Sequence, residues 1–450
     1  MKFLSYRTLI SICTAAFLAF QPQAVAALNL DDILHLAIER DAQLKAETFD
    51  AQAQNADGWR SVAGLGPSVI ATGKYMASRD SLRTDSEAAT EVENKTAHYA
   101  ENEVSIELEQ PLIDLEKINI ARRGSREMIL ADLMKKKSNE DLMLRVHERY
   151  YTILSAQENL KLAKAESAAL AKQVQTAKEK REVGYGIITD QYDSEARYHL
   201  SQATEVARKA ALADAREAMT ELINLEISED LDDLPPASPL PTVDKDIDYW
   251  LNRSLGNNTD LKIKKIQAEA AHLNQRAAQS RFLPTLKAFA DYSQKNPDGG
   301  LYDYGEERTE AEIGLKIQME LLAGGTDTAA AIAAKKRAAA AKQRIEMTRR
   351  SVCRSVKSIW GTLHSTQELI LAYEKAVLAS EKALQSTQAG QQEGVKVLLD
   401  VLNAQRDYFI SRSQYQNAQY AYMVLLEKFR VVVGVTDGDE AIKADTRREK

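Results

Sequence analysis

Proline is spaced so unevenly along this 450-residue chain that it dictates where long helices can run. Its nine copies fall at 22, 67, 111, 235, 236, 239, 241, 284 and 297. None lies between 112 and 234, between 242 and 283, or after 297. A proline inside a helix costs about 3 kcal/mol or more, so these three tracts are where unbroken helix is permitted. The first, taken as one helix over 112–183, would extend roughly 105 Å. Few globular folds accommodate such a rod, and aromatics at 6% do not suggest a sheet-rich enzyme.

Two stretches 210 residues apart, beginning at Val183 and Glu393, follow one grammar. They share Gly184/Gly394, Asp190/Asp400 and Tyr198/Tyr408, and between these Ile188/Leu398, Asp193/Asn403, Ser194/Ala404 and Glu195/Gln405 match in kind. A helical run ends at Gly, a few apolar residues follow, and Asp opens a new run. That is a helix-to-helix turn, with Gly free to adopt φ > 0 and Asp able to cap the next helix. The chain reads as a duplication whose tips are 183–190 and 393–400. The starts of the copies agree: residues 30–64 and 247–281 align at an offset of 217, pairing Leu34/Leu251, Leu44/Leu261, Ala51/Ala268 and Ala53/Ala270.

After Pro67 and Pro284 the period changes. Val69, Ala71, Gly73 and Tyr75 share one face, as do Leu286, Ala288, Ala290 and Tyr292. Beyond polar loops at 81–95 and 295–308, Val104, Ile106 and Leu108 alternate with Glu103, Ser105, Glu107 and Glu109. Likewise Ala311, Ile313, Leu315, Ile317 and Met319 alternate with Glu310, Glu312, Lys316, Gln318 and Glu320. These are strands with one apolar and one charged face. About ten residues suffice for a membrane-spanning strand, and apolar-out with polar-in is the pattern of a water-filled barrel. The helical tracts carry heptads: Val146, Ile153, Leu160 and Val174, with Ser167 in the gap, beside a seam of Leu142, Ala156, Ala163, Leu170 and Ala177. Val356, Leu363, Ile370, Val377 and Leu384 repeat the spacing, which is coiled-coil packing.

The N-terminus has the form of a secretory signal: Lys2 and Arg7, an apolar run from Leu9 to Phe20, and Ala24-Val25-Ala26 as cleavage site. The mature chain would start at Ala27, without an acyl chain and without Cys13. Cys353, then the single cysteine, reads as a small packing residue. The division expected is signal 1–26; helix 27–66; membrane hairpin 67–111; helical hairpin 112–226; linker 227–245; helix 246–283; membrane hairpin 284–322; helical hairpin 323–433; and a loose polar tail 434–450. Four strands per chain cannot close a barrel, which needs about eight, and open edges are not tolerated in lipid; several chains must share one.

These features together resemble the TolC family of outer-membrane channel-tunnel proteins over essentially the whole mature length. The layout, the proline before each first strand and the Gly-x5-Asp tip turns carry the resemblance. It implies a mixed fold, with a long α-helical coiled-coil tunnel in the periplasm and four membrane β-strands per chain in two repeats, a homotrimer closing a twelve-stranded barrel. It further implies a periplasmic adaptor and an inner-membrane ABC or proton-driven transporter meeting the tips, for efflux or type I secretion. In the family an Asp on the first tip is linked to a Tyr and an Arg on the second. Those positions fall on Asp190, Gln391 and Lys396, and Lys lacks the bidentate fork of Arg. The constriction acids fall on Asp400 and Asn403, of which one stays acidic. For Asp190 and Asp400 the plainer reading is an N-cap worth about 1 kcal/mol.

No nucleophile motif, phosphate loop or metal-ligand spacing appears, so neither an enzyme nor a cofactor is expected, and the net charge of −7 argues against nucleic acid. The basic run Lys335, Lys336, Arg337, Lys342, Arg344, Arg349, Arg350 and Arg354 reads as a solvated helix face, with anionic headgroups as the other reading. The rival class is a structural coiled-coil envelope protein or a periplasmic adaptor.

Overall fold

The structure, a computed structural model, describes residues 29–84, 93–184, 186–227, 230–232, 240–243, 245–300, 306–435 and 442–444. The signal segment and its cleavage site lie outside them.

Helices α1 (Leu30–Arg40) and α2 (Ala42–Ala63) lead into strands β1 (Ser68–Thr84) and β2 (Glu93–Ile113). The long helix α3 (Leu115–Glu182) and its return α4 (Ile188–Ile223) follow. After strand β3 (Pro241–Val243) the plan recurs: α5 (Ile247–Asn257), α6 (Thr259–Ser280), β4 (Thr285–Pro297), β5 (Arg308–Gln318), α7 (Thr326–Gln392), α8 (Leu398–Val433) and β6 (Ile442–Ala444). At 68 and 67 residues, α3 and α7 are rods of about 100 Å.

Two expectations need correction. The opening helix of each half is not continuous but breaks at Asp41 and at Asn258. Both residues have an extended ψ, 119° and 124°. Each side chain accepts the N–H three residues on, Leu44 at 2.8 Å and Leu261 at 2.9 Å, so one residue ends a helix and caps the next. Asp41 is also held by Arg145 of α3 at 2.8 Å, and Asn258 donates to the Val432 carbonyl at 2.9 Å. The tail, expected to be loose, pairs its strand β6 antiparallel with β3 of the linker.

Strands β1, β2, β4 and β5 form one antiparallel sheet in that order, so the two hairpins join through β2 and β4. The face bearing Val69, Val104, Ile313, Leu315 and Ile317 is uncovered, with exposures of 57–89%. On the other face Glu107, Asp291 and Glu312 stand in register. The first hairpin is far longer than ten residues a strand. β4 follows β2 only to the pair Glu101↔Pro297, so residues 77–84 and 93–100 continue as a two-stranded ribbon. The shared rows Ser68–Met76 run about 30 Å, which after tilting fits an apolar band about 25 Å tall.

The core lies between helices. Val146 and Ile153 of the α3 seam are fully buried with Met219, Leu222 and Ile223 of α4 and Ile33 of α1. A second cluster joins Val356, Leu363 and Ile370 of α7 to Tyr422, Leu426 and Phe429 of α8 and Trp250 of α5. Trp250 stands edge-on to Phe429 at 5.1 Å and donates its indole N–H to the Lys245 carbonyl. Below Ile370 the α7 seam thins, Val377 and Leu384 being only half-buried. Cys353 is also half-buried and free. The basic residues of α7 are exposed, and Arg349, then Arg350, hold the Glu346 carboxyl down at about 2.

Candidate pore entrance at the hairpin tips

Each long hairpin turns on a glycine. Gly184 has φ +82° and Gly394 φ +78°, and an added Cβ at either would meet nothing within 4 Å. The glycines are needed for their backbone, not for space. Gly184 donates to the Arg181 carbonyl and Gly394 to that of Gln391. At the second tip Val395 and Lys396 both donate to the Gly390 carbonyl, at 2.8 and 3.1 Å.

The aspartates are not the caps. The N-cap positions fall on Ile187 and Val397, extended residues with no side-chain cap bond. Asp190 and Asp400 sit at the third helical position, where each backbone N–H reaches the N-cap carbonyl at 3.2 and 3.1 Å. Their charge there faces the positive end of the helix dipole. The caps themselves are exposed, Ile187 at 64% and Val397 at 63%, and the packing lies in the helix that follows: Leu398 and Leu402 of α8 are buried against Leu170 and Ala177 of α3, with Tyr198 of α4 alongside.

Of the residues singled out in sequence, the structure joins two directly. Lys396 Nζ lies 3.8 Å from Asp400 Oδ2. No hydrogen bond or ion pair links Asp190 to Gln391 or Lys396 among the described residues; the Asp190 carbonyl accepts from Ser194 Oγ at 2.7 Å. Asn403 Oδ1 accepts from Arg197 Nη2 of α4 at 2.9 Å. Arg197 was not singled out, although its place seven residues after Asp190 puts it two turns on along the same face. Around the first tip, Arg181 donates to Gln191 at 2.8 Å and Lys178 pairs with Glu195 at 3.2 Å, tying α3 to α4. Hydrogen bonds from Gln191 and Lys178 lower the pKa of Glu195. Its counterpart Gln405 is 3% exposed.

A family profile described as "Outer membrane efflux protein" matches residues 33–225 and 250–435. The chain belongs to that family. It is 28% identical over 433 residues to the outer membrane protein TolC of Vibrio cholerae, covering 95% of each. It is 26% identical over 440 residues to the alkaline protease secretion protein AprF of Pseudomonas aeruginosa, covering 96% of this chain and 90% of that protein. Among solved structures, VceC of Vibrio cholerae superposes with a TM-score of 0.76 at 16% identity, covering 90% of this chain and 96% of that one. The open state of MtrE from Neisseria gonorrhoeae gives 0.73 at 19%, covering 90% and 89%. The resemblance read from the tips is thus correct, and the protein is an outer-membrane efflux channel. The rival readings, structural coiled coil or periplasmic adaptor, give way to a family match spanning both halves.

Proposed function

We propose that three copies of this efflux-family protein close one outer-membrane barrel of twelve strands, four from each chain, above a helical tunnel entered between the tips. The supporting observation is the sheet itself. It has an uncovered apolar face, a charged opposite face and free edges at β1 and β5. In lipid such edges must be paired. Below the barrel, the outer helices show matching uncovered apolar stripes. Tyr192, Leu200 and Val206 are 59–70% exposed on α4, and Leu371 and Leu378 are 42% and 54% exposed on α7. A second copy set edge to edge would cover both.

In this reading 67–111 and 284–322 are the membrane hairpins, and the tips at 183–190 and 393–400 meet a periplasmic adaptor and an inner-membrane ABC or proton-driven transporter. The names of AprF and of the proteases secretion protein PrtF of Dickeya chrysanthemi, 24% identical over 440 residues, favour protein secretion as the cargo route. Asp190, Gln391, Lys396, Asp400 and Asn403 would line the entrance, with Gly184 and Gly394 shaping the surface the adaptor meets. The architecture is tested by mass in mild detergent, where a trimer is expected; a monomer retaining its strand signal by circular dichroism would refute it. For the entrance, Asp400→Ala should weaken block by trivalent cations in planar bilayers, because converging carboxylates focus negative potential. Unchanged block would remove Asp400 from the pore.

A further inference from the structure

The one hydrogen bond that ties α4 directly to α8 at the tips among the described residues runs from Arg197 to Asn403. Both side chains are half-buried. The donor is charged and the acceptor is neutral, so the bond is charge-assisted while the guanidinium keeps its full charge. No carboxylate lies within ion-pair distance of Arg197 among the described residues. One turn back along α8, Asp400 already has Lys396 beside it at 3.8 Å. With Asp190 (−1) two turns back from Arg197 on α4, the entrance residues Asp190, Asp400 (−1), Lys396 (+1) and Arg197 (+1) of each chain sum to zero.

We propose that Arg197 both latches the entrance and sets its ion preference, holding α4 on α8 through Asn403 and offsetting the negative field of Asp400. This rests on the reading of the tips as the pore entrance. It changes what position 403 does. An aspartate there is taken up by the guanidinium in a tighter, bidentate ion pair and adds no free carboxylate. The sum per chain falls to −1 and the latch strengthens. A second acidic ring exists only when Arg197 is removed as well.

Planar-bilayer recordings with hexamminecobalt(III) as blocker decide the matter, with trimer migration in mild detergent as folding control. Arg197→Gln should raise single-channel conductance and the cation-to-anion permeability ratio. Asn403→Asp should lower conductance and shift the blocking concentration no further than Arg197→Gln does, since each lowers the charge of a chain by one. Arg197→Gln with Asn403→Asp should lower the blocking concentration on the order of tenfold relative to Asn403→Asp alone, since three unshielded carboxylates then join those of Asp400. Wild-type conductance in Arg197→Gln, or Asn403→Asp blocking as readily as the double variant, overturns the proposal. Asp400→Ala in the same recordings separates the two levels. If it alters block while the Arg197 variants do nothing, the latch is wrong and the entrance stands; if block ignores Asp400 too, the entrance reading itself fails.

Discussion

The first and second hairpin tips turn on the same glycine geometry, yet they are fastened by different chemistry. At the first, Gly186 lies against the end of α3, and Arg181–Gln191 and Lys178–Glu195 bind the two arms together. At the second, Lys396 stands where Gly186 would be, the Gly390 carbonyl collects two N–H groups, and Gln405 is buried where Glu195 is half-buried. The first tip is thus closed by side chains in water, the second by backbone bonds and by packing of Leu398 and Leu402 on α3. Equal backbone paths do not require equal interactions, so the two tips should answer differently to the same perturbation.

The largest contrast is expected at Gly186. A Cβ there would come within 2.6 Å of the Arg181 backbone N and 2.9 Å of the Lys180 carbonyl carbon, which no side-chain rotation relieves. Gly186→Ala should destabilise the first tip by about 1–3 kcal/mol, as overpacking does. Lys396→Ala at the matching position should leave the second tip folded. Hydrogen exchange resolved to 180–190 and 390–400 would show it; equal protection in the two variants would mean the tips are fastened alike after all.

A smaller and symmetric effect is expected at the turning glycines. Gly184→Ala and Gly394→Ala meet open space, so each costs only the left-handed backbone penalty, about 1–2 kcal/mol. Asparagine, which tolerates that region, should recover part of it. Thermal unfolding of the two alanine variants in detergent should give matching shifts. A clearly larger loss at one of them would show that its backbone bonds, not its φ alone, decide its stability.

These differences also mark what sequence could and could not show. The rods and the two pairs of alternating strands were legible because proline exclusion, heptads and period-two alternation are local patterns that the membrane and the core both enforce. The tip turns were legible for the same reason, since a positive φ restricts the residue type. The helix breaks were missed although Asp41 and Asn258 lie at the very offset that aligns the halves, because a capping side chain inside an apolar-periodic run looks like a surface residue. The β3–β6 pair is three residues long and has no periodicity to read. Assigning the caps to Asp190 and Asp400 failed by three positions, because the exposed apolar residues Ile187 and Val397 hold the cap sites and leave the acids in the first turn. The Arg197–Asn403 bond joins residues 206 positions apart, which no local pattern encodes.

The smallest contrast concerns pH. Hydrogen bonds from Gln191 and then Lys178 hold the Glu195 carboxyl below its ordinary value. A group whose pKa is depressed on folding contributes stability that is present above its unfolded value and is lost as pH falls through the folded one. Acidification through and below the ordinary carboxylate range should therefore loosen the α3–α4 tie at the first tip. Gln405 does not titrate, so its surroundings at the second tip should feel no such change from that position. Glu195 is only half-buried, so solvent screens the tie and the effect is modest, seen as faster exchange or cleavage near 178–195 and absent around 390–405. Glu195→Gln should abolish the pH dependence while keeping a neutral hydrogen bond to Gln191. If that variant still loosens on acidification, the titrating fastener is another acid, and the chemical distinction drawn between the two tips is misplaced.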